Sequence, residues 1–140
     1  MTSYVIYLIF LVGSLPVAIW LIARLWHLRA SPGARGLIIS LLCSAQWSLT
    51  YAFEIIDTNL ATKILWAKLE YFGISFIAVG LLRLGLHFRG RGQGLTFSRL
   101  IWLIVLPIFN VIVALSNEAH GQIWSDIQLT NNQPFGPLTL

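Results

Sequence analysis

The sequence predicts an all-α, polytopic integral membrane bundle with its N-terminus outside, and three observations carry that prediction. Four long apolar blocks divide the chain, at about residues 4–26, 36–56, 63–87 and 99–116. Only 10% of the 140 residues are charged while 57% are hydrophobic, against roughly 25% charged in an average soluble domain. The charges that remain are sorted along the chain by sign.

A helix that crosses a bilayer needs about 20 mostly apolar residues to span roughly 30 Å of hydrocarbon, and each block is close to that length. The first follows only Met1, Thr2 and Ser3. With no basic residue before it, and more residues than the roughly 7–15 of a secretory h-region, it reads as a retained helix. Its "GSLP", Gly13 to Pro16, is a tolerated membrane proline that removes one backbone hydrogen bond. "RASPGARG" is expected to form a short turn before the second helix, and "DTNLAT" another before the third, with Thr58 or Asn59 as N-cap. "RGRGQG" is a flexible connection whose glycines resemble a phosphate loop only superficially, because no strand precedes them. The fourth helix carries Pro107 and Asn110, and residues 117–140 form a polar loop with a short interfacial helix expected around Ile123 and Trp124.

All seven arginines lie in or beside the connections after helices one and three: Arg24, Arg29 and Arg35, then Arg83, Arg89, Arg91 and Arg99. The five carboxylates, Glu54, Asp57, Glu70, Glu118 and Asp126, fall toward the other side. Short loops rich in Lys and Arg stay cytoplasmic, so the arginine loops are inside and the segment after helix four emerges outside. The formal charge of +4 is then an orientation signal and an attraction to anionic inner-leaflet lipid, and no nucleic-acid partner is expected.

Polar residues within the helices are arranged by face. At 100° per residue, Gly36, Ser40, Cys43, Ser44, Trp47, Tyr51 and Glu54 occupy an arc of roughly 100° on helix two. The inner half of this stripe is small and suits close helix packing; the outer half offers two aromatic rings and a carboxylate. On helix three, Lys63, Trp66, Glu70 and Gly73 share one side, and Lys68, Tyr71 and Ser75 an adjoining one. A charge at the centre of a membrane helix costs at least about 2.5–3.5 kcal/mol, so such groups face the bundle interior, pair, or line a wet cavity. The expectation is that Trp47, Tyr51, Glu54, Trp66, Lys68, Glu70 and Tyr71 line one outward-facing polar pocket, with Lys68 or Lys63 within reach of Glu54. The competing reading is an interhelical salt bridge with an aromatic belt and no ligand. Lys63 reads as an interfacial, snorkelling lysine.

His27 and His87 lie at the inner ends of helices one and three, and His120 lies outside beside Glu118. No carboxylate or cysteine joins the inner pair, so no metal, haem or other cofactor is expected. Cys43 is the one cysteine and forms no internal disulfide. No nucleophile, base and orienting group fall together, and enzymatic chemistry is not expected in this chain.

Several stretches together resemble the N-terminal seven-transmembrane sensor region of bacterial histidine kinases. They are "AQWSLTYAFE" with Trp47, Tyr51 and Glu54; "KILWAKLEYFGI" with Lys63, Trp66, Lys68, Tyr71 and Gly73; Pro107; and "NEAHGQIW" with Asn117, His120 and Trp124. Singly these motifs are weak; their order and spacing, from about Leu8 to the C-terminus, carry the resemblance. Two departures stand out. No proline follows Gly73 and Ile74, and the Asn117-to-His120 motif lacks a common proline. The resemblance implies three further helices and cytoplasmic signalling modules, so the chain reads as the first four helices of such a region without its catalytic part.

The expected function is therefore the membrane-embedded signal-sensing input of a two-component sensor. It would sit in the bacterial cell membrane, answer an outer or membrane-borne signal, and form a homodimer by resemblance. The rival from another class is a small four-helix transporter using Glu54 or Glu70 as a proton-coupled carboxylate. A third reading is a purely structural membrane subunit.

Overall fold

The computed structural model describes residues 2–88, 97–125, 128–129 and 138–139. They form helices α1 (Thr2–Trp26), α2 (Pro32–Ile56), α3 (Leu60–Phe88), α4 (Phe97–Leu115) and the single turn α5 (Asn117–His120). Two short strands, β1 (Gln128–Leu129) and β2 (Leu138–Thr139), pair antiparallel. The connection "RGRGQG" with Arg89 and Arg91, and Asp126 in the last segment, lie outside the described residues. The fold is therefore all-helical apart from a two-residue ladder. Helices α1, α2 and α3 are long and apolar enough to cross a membrane, and α4 carries the shorter apolar stretch Ile101–Leu115.

The helices start earlier than their apolar blocks do. α2 opens at Pro32 inside "RASPGARG" because proline suits the first helical position, where its missing N–H would be unpaired anyway. α3 opens at Leu60, since the Asn59 side chain accepts the Ala61 N–H at 2.9 Å and serves as the cap. Of the two cap candidates, Asn59 is the one used. Within the outer segment the helical turn forms at Asn117–His120 and not around Ile123 and Trp124. Gly121 stops it in the left-handed region, φ 59°, donating its N–H to the Asn117 carbonyl at 2.7 Å. Despite their internal prolines, Pro16 and Pro107, α1 and α4 run unbroken.

α1, α2, α3 and α4 lie side by side in chain order, with the α2–α3 pair the most intimate. These two run antiparallel through a three-residue turn, and every step up α2 is matched by an equal step down α3. Gly36 meets Gly80, Ser40 reaches the Ile77 carbonyl, Gln46 reaches that of Leu69, and Glu54 meets Lys63. Small residues make the approach possible: a Cβ on Gly36 would stand 2.7 Å from the Gly80 carbonyl oxygen, and one on Gly73 2.6 Å from that of Cys43. The small inner stripe of α2 is thus a packing surface, as its spacing implies. Away from this seam, large apolar side chains such as Phe10, Ile19 and Trp102 point outward. That is the arrangement expected where lipid is the surrounding medium, since hydrocarbon tails exert no hydrophobic force to bury them.

Candidate functional site

α3 carries Lys68 and Glu70 on opposite sides. Lys68 and Glu70 are two positions apart, about 200° around the helix axis, so they meet different neighbours. The structure therefore divides the expected pocket into two polar centres, one on each face of α3.

The first lies between α2 and α3. Glu70 is buried, and its Oε2 accepts the indole N–H of Trp47 at 3.1 Å. Its other oxygen, Oε1, is buried with no hydrogen-bond partner. Glu54, also buried, brings its carboxyl beside that of Glu70, and Tyr51 lies close to both. Tyr7 of α1 packs edge-on against Tyr51, ring centroids 5.9 Å apart, which ties the first helix to the centre. Two carboxyl groups and a phenol thus meet at one level of the α2–α3 seam.

Lys63 does not snorkel. It is only 1% exposed, and its ammonium donates to the Glu54 backbone carbonyl at 2.6 Å. The last carbonyls of a helix lack intrahelical partners and carry its negative dipole end, so a cation from the next helix satisfies both needs. Lys63 is therefore the lysine near Glu54, through its backbone rather than its carboxylate, and Lys68 is not.

The second centre lies between α3, α4 and the outer segment. Lys68 Nζ pairs with Glu118 Oε1 at 2.7 Å, joining a side chain 10% exposed to one 81% exposed. Tyr71 stands edge-on to Trp124, centroids 5.4 Å apart. Deeper along the same face, Asn110 of α4 donates to Ser75 Oγ at 2.9 Å, giving two polar groups inside the hydrocarbon a mutual partner.

The outer motif proves to be the scaffold of this second centre. The Asn117 side chain accepts the N–H groups of Ile123 and Trp124 at 2.8 and 3.2 Å and donates to the Trp124 carbonyl at 3.0 Å. Its amide thus stands in for a neighbouring peptide and clamps the chain so that Trp124 lies on Tyr71. His120 Nδ1 accepts the Gln122 N–H at 3.1 Å, which leaves Nε2 as the protonated nitrogen donating to the Val113 carbonyl, also at 3.1 Å. That carbonyl belongs to the unpaired end of α4, so the histidine caps a helix.

Trp66 belongs to neither centre. It stacks on Phe53, centroids 4.8 Å apart, beside the α2–α3 turn. In that turn Asp57 accepts the Asn59 N–H at 2.9 Å, and this bond holds its carboxyl below the usual carboxylate range, with Thr62 and Trp66 adding to it. At the other end of the molecule the His87 ring lies over Gly33, where a Cβ would collide with it. Among the described residues no group of three His, Cys, Asp or Glu side chains is placed to hold a metal ion.

Sequence reasoning passed over several participants. Tyr7 sits in an unbroken apolar run, and Glu118 is distant in sequence from Lys68. Gln46 hides on the α3-facing side of α2, where it donates to the Leu69 carbonyl at 2.9 Å. Polar type within a membrane helix was the one available signal for Gln46, as it was for Asn110.

No curated protein and no solved structure matches this chain. The sequence model of one family, described as the N-terminal 7TM region of histidine kinase, matches residues 6–140. That span takes in most of α1, all of α2 to α4, both polar centres and the Asn117–Trp124 clamp, and the chain belongs to this family of multi-pass membrane sensor regions.

Proposed function

We propose that this chain is the signal-sensing input of a two-component sensor in the bacterial cell membrane, and that its signal is read around the outer half of α3. The observation that carries the proposal is the placement of Lys68 and Glu70: one helix is held on one face by the exposed Glu118 of the outer segment and on the other by Trp47 of α2. A signal that displaces the outer segment loosens the first contact and leaves the second. α3 then changes its packing against α2, the neighbour it fits most closely. In energetic terms this is a population shift, whose size is set by the signal's differential affinity for the two packings. Family membership supports the kinase context, and the catalytic work belongs to the kinase modules of such proteins. Dimerisation, the usual geometry for passing such a shift between subunits, is part of the same proposal.

The test is autophosphorylation of the native signalling protein in membrane vesicles. Glu118→Gln and Glu70→Gln are each expected to change the basal level by severalfold. Unchanged phosphorylation in both variants would remove α3 from the signalling path. Proton flux across the vesicles that Glu70→Gln abolishes would favour a carrier instead.

A further inference from the structure

At the end of the bundle remote from both polar centres, three arginines from three different segments line one cavity of about 500 Å³. Arg29 comes from the turn after α1, Arg35 from the first turns of α2 and Arg83 from the last turns of α3; Trp26, Ile38 and Ile39 contribute apolar walls. The arginines are not loosely arrayed. Arg35 Nε donates to the Arg29 carbonyl at 2.6 Å, which anchors its guanidinium through one nitrogen, and the Arg29 guanidinium lies over the Trp26 ring, 5.1 Å from its centroid. Among the described residues no carboxylate is near. The closest along α3 is Glu70, thirteen residues and about 20 Å from Arg83, and the described ion pair, Lys68–Glu118, is at the other end.

We propose that this cavity binds the phosphate-bearing headgroup of an anionic phospholipid of the inner leaflet. Three positive charges without a counter-ion among the described residues, set beside an indole and two isoleucines, match a ligand that is anionic at one end and apolar at the other. Guanidinium forks suit phosphate oxygens, to which they donate paired hydrogen bonds. Basic pockets between membrane helices on the cytoplasmic side recognise such headgroups, and a nearby tryptophan suits the same depth. The arginine-rich end is also the end that short-loop charge assigns to the cytoplasm. A bound lipid would bridge α1, α2 and α3 where no direct ion pair joins them among the described residues, so the site is independent of how the outer half senses its signal.

The chain in neutral detergent, titrated with dioleoyl phosphatidylglycerol and followed by native mass spectrometry, tests this directly. The expected result is retention at least tenfold stronger than that of the matching phosphatidylcholine. Arg83→Gln should weaken phosphatidylglycerol binding roughly tenfold, the loss expected for one charge-assisted contact. Arg24→Gln removes the same charge at the same end but lies outside the cavity, on the Trp20 ring, and should leave binding within about twofold. Should Arg83→Gln fail to fold, Arg35→Lys keeps the charge, loses the fork and should still cost severalfold. Equal loss in Arg83→Gln and Arg24→Gln, or equal retention of the two lipids, would overturn the proposal in favour of a diffuse field. Inorganic phosphate at millimolar concentration displacing the lipid would equally overturn it, by making the site one for a free anion.

Discussion

Lys68 and Glu70 lie two residues apart on α3 yet never share a partner: Lys68 meets Glu118 at 2.7 Å on the outer-segment side, and Glu70 takes the Trp47 N–H at 3.1 Å on the α2 side. The helical repeat turns them away from each other, and each then becomes the anchor of a separate contact. α3 is therefore the element on which both polar centres depend.

Breaking the Lys68–Glu118 pair should be asymmetric. Glu118→Gln leaves a mostly buried ammonium without its counter-ion, costing about 1–3 kcal/mol. Lys68→Met leaves an exposed carboxylate that water solvates, and costs less than about 1 kcal/mol. Denaturant titration of the chain in mixed micelles checks the order; a larger loss in Lys68→Met would contradict the assigned burial.

Trp47→Phe keeps an aromatic ring but removes the indole N–H, leaving Glu70 with neither oxygen satisfied by a described partner. The expected loss is about 1–3 kcal/mol. Glu70→Gln keeps an acceptor for Trp47 and removes the clash of carboxyls, so it should be neutral or stabilising. The same micelle titration compares the two, and an equal loss would mean that the indole bond contributes nothing.

Glycine substitutions should divide by position. Gly36→Ala and Gly73→Ala push a methyl into the backbone of the facing helix and should cost about 1–3 kcal/mol by overpacking. Gly85→Ala meets nothing within 4 Å and should be neutral or stabilising by up to about 1 kcal/mol, through lower conformational entropy of the unfolded chain. Helicity retained on heating in micelles reads the difference.

Asn117→Ala removes all three hydrogen bonds by which its side chain holds Ile123 and Trp124. Trp124 should then leave Tyr71, seen as a loss of protection from an aqueous quencher of tryptophan fluorescence. Asn117→Asp keeps the two accepted bonds and should hold the ring in part; identical quenching in all three proteins would count against the clamp.

The α2–α3 turn should respond to acid alone. The Asn59 N–H holds the folded Asp57 pKa below its ordinary value of 3.8. A depressed carboxylate contributes stability that is fully present above the unfolded value and is lost as pH falls through the lower folded one. Hydrogen exchange at the Asn59 amide should stay slow, relative to its intrinsic rate, down to about pH 4 and lose protection only below it. Asp57→Asn should remove that acid step; protection that changes with pH in the neutral range would point to another group.

By itself the sequence determined the helices, their order and the sorting of charge to the two ends, because these follow from the lengths of apolar runs and the cost of placing charge in hydrocarbon. It also marked the small stripe of α2 as a packing face, since a repeat of four fixes a helical side. It could not determine which polar residues meet. Lys68 is fifty residues from Glu118, and the choice between them and the nearer Glu54 rests on where α4 delivers the outer segment. Lys63 looked interfacial because its type favours the surface; only the antiparallel register of α2 and α3 set it beneath the last turn of α2, where an unpaired carbonyl accepts its charge. Periodicity assigns a residue to a side of its own helix, and tertiary structure alone decides what stands opposite.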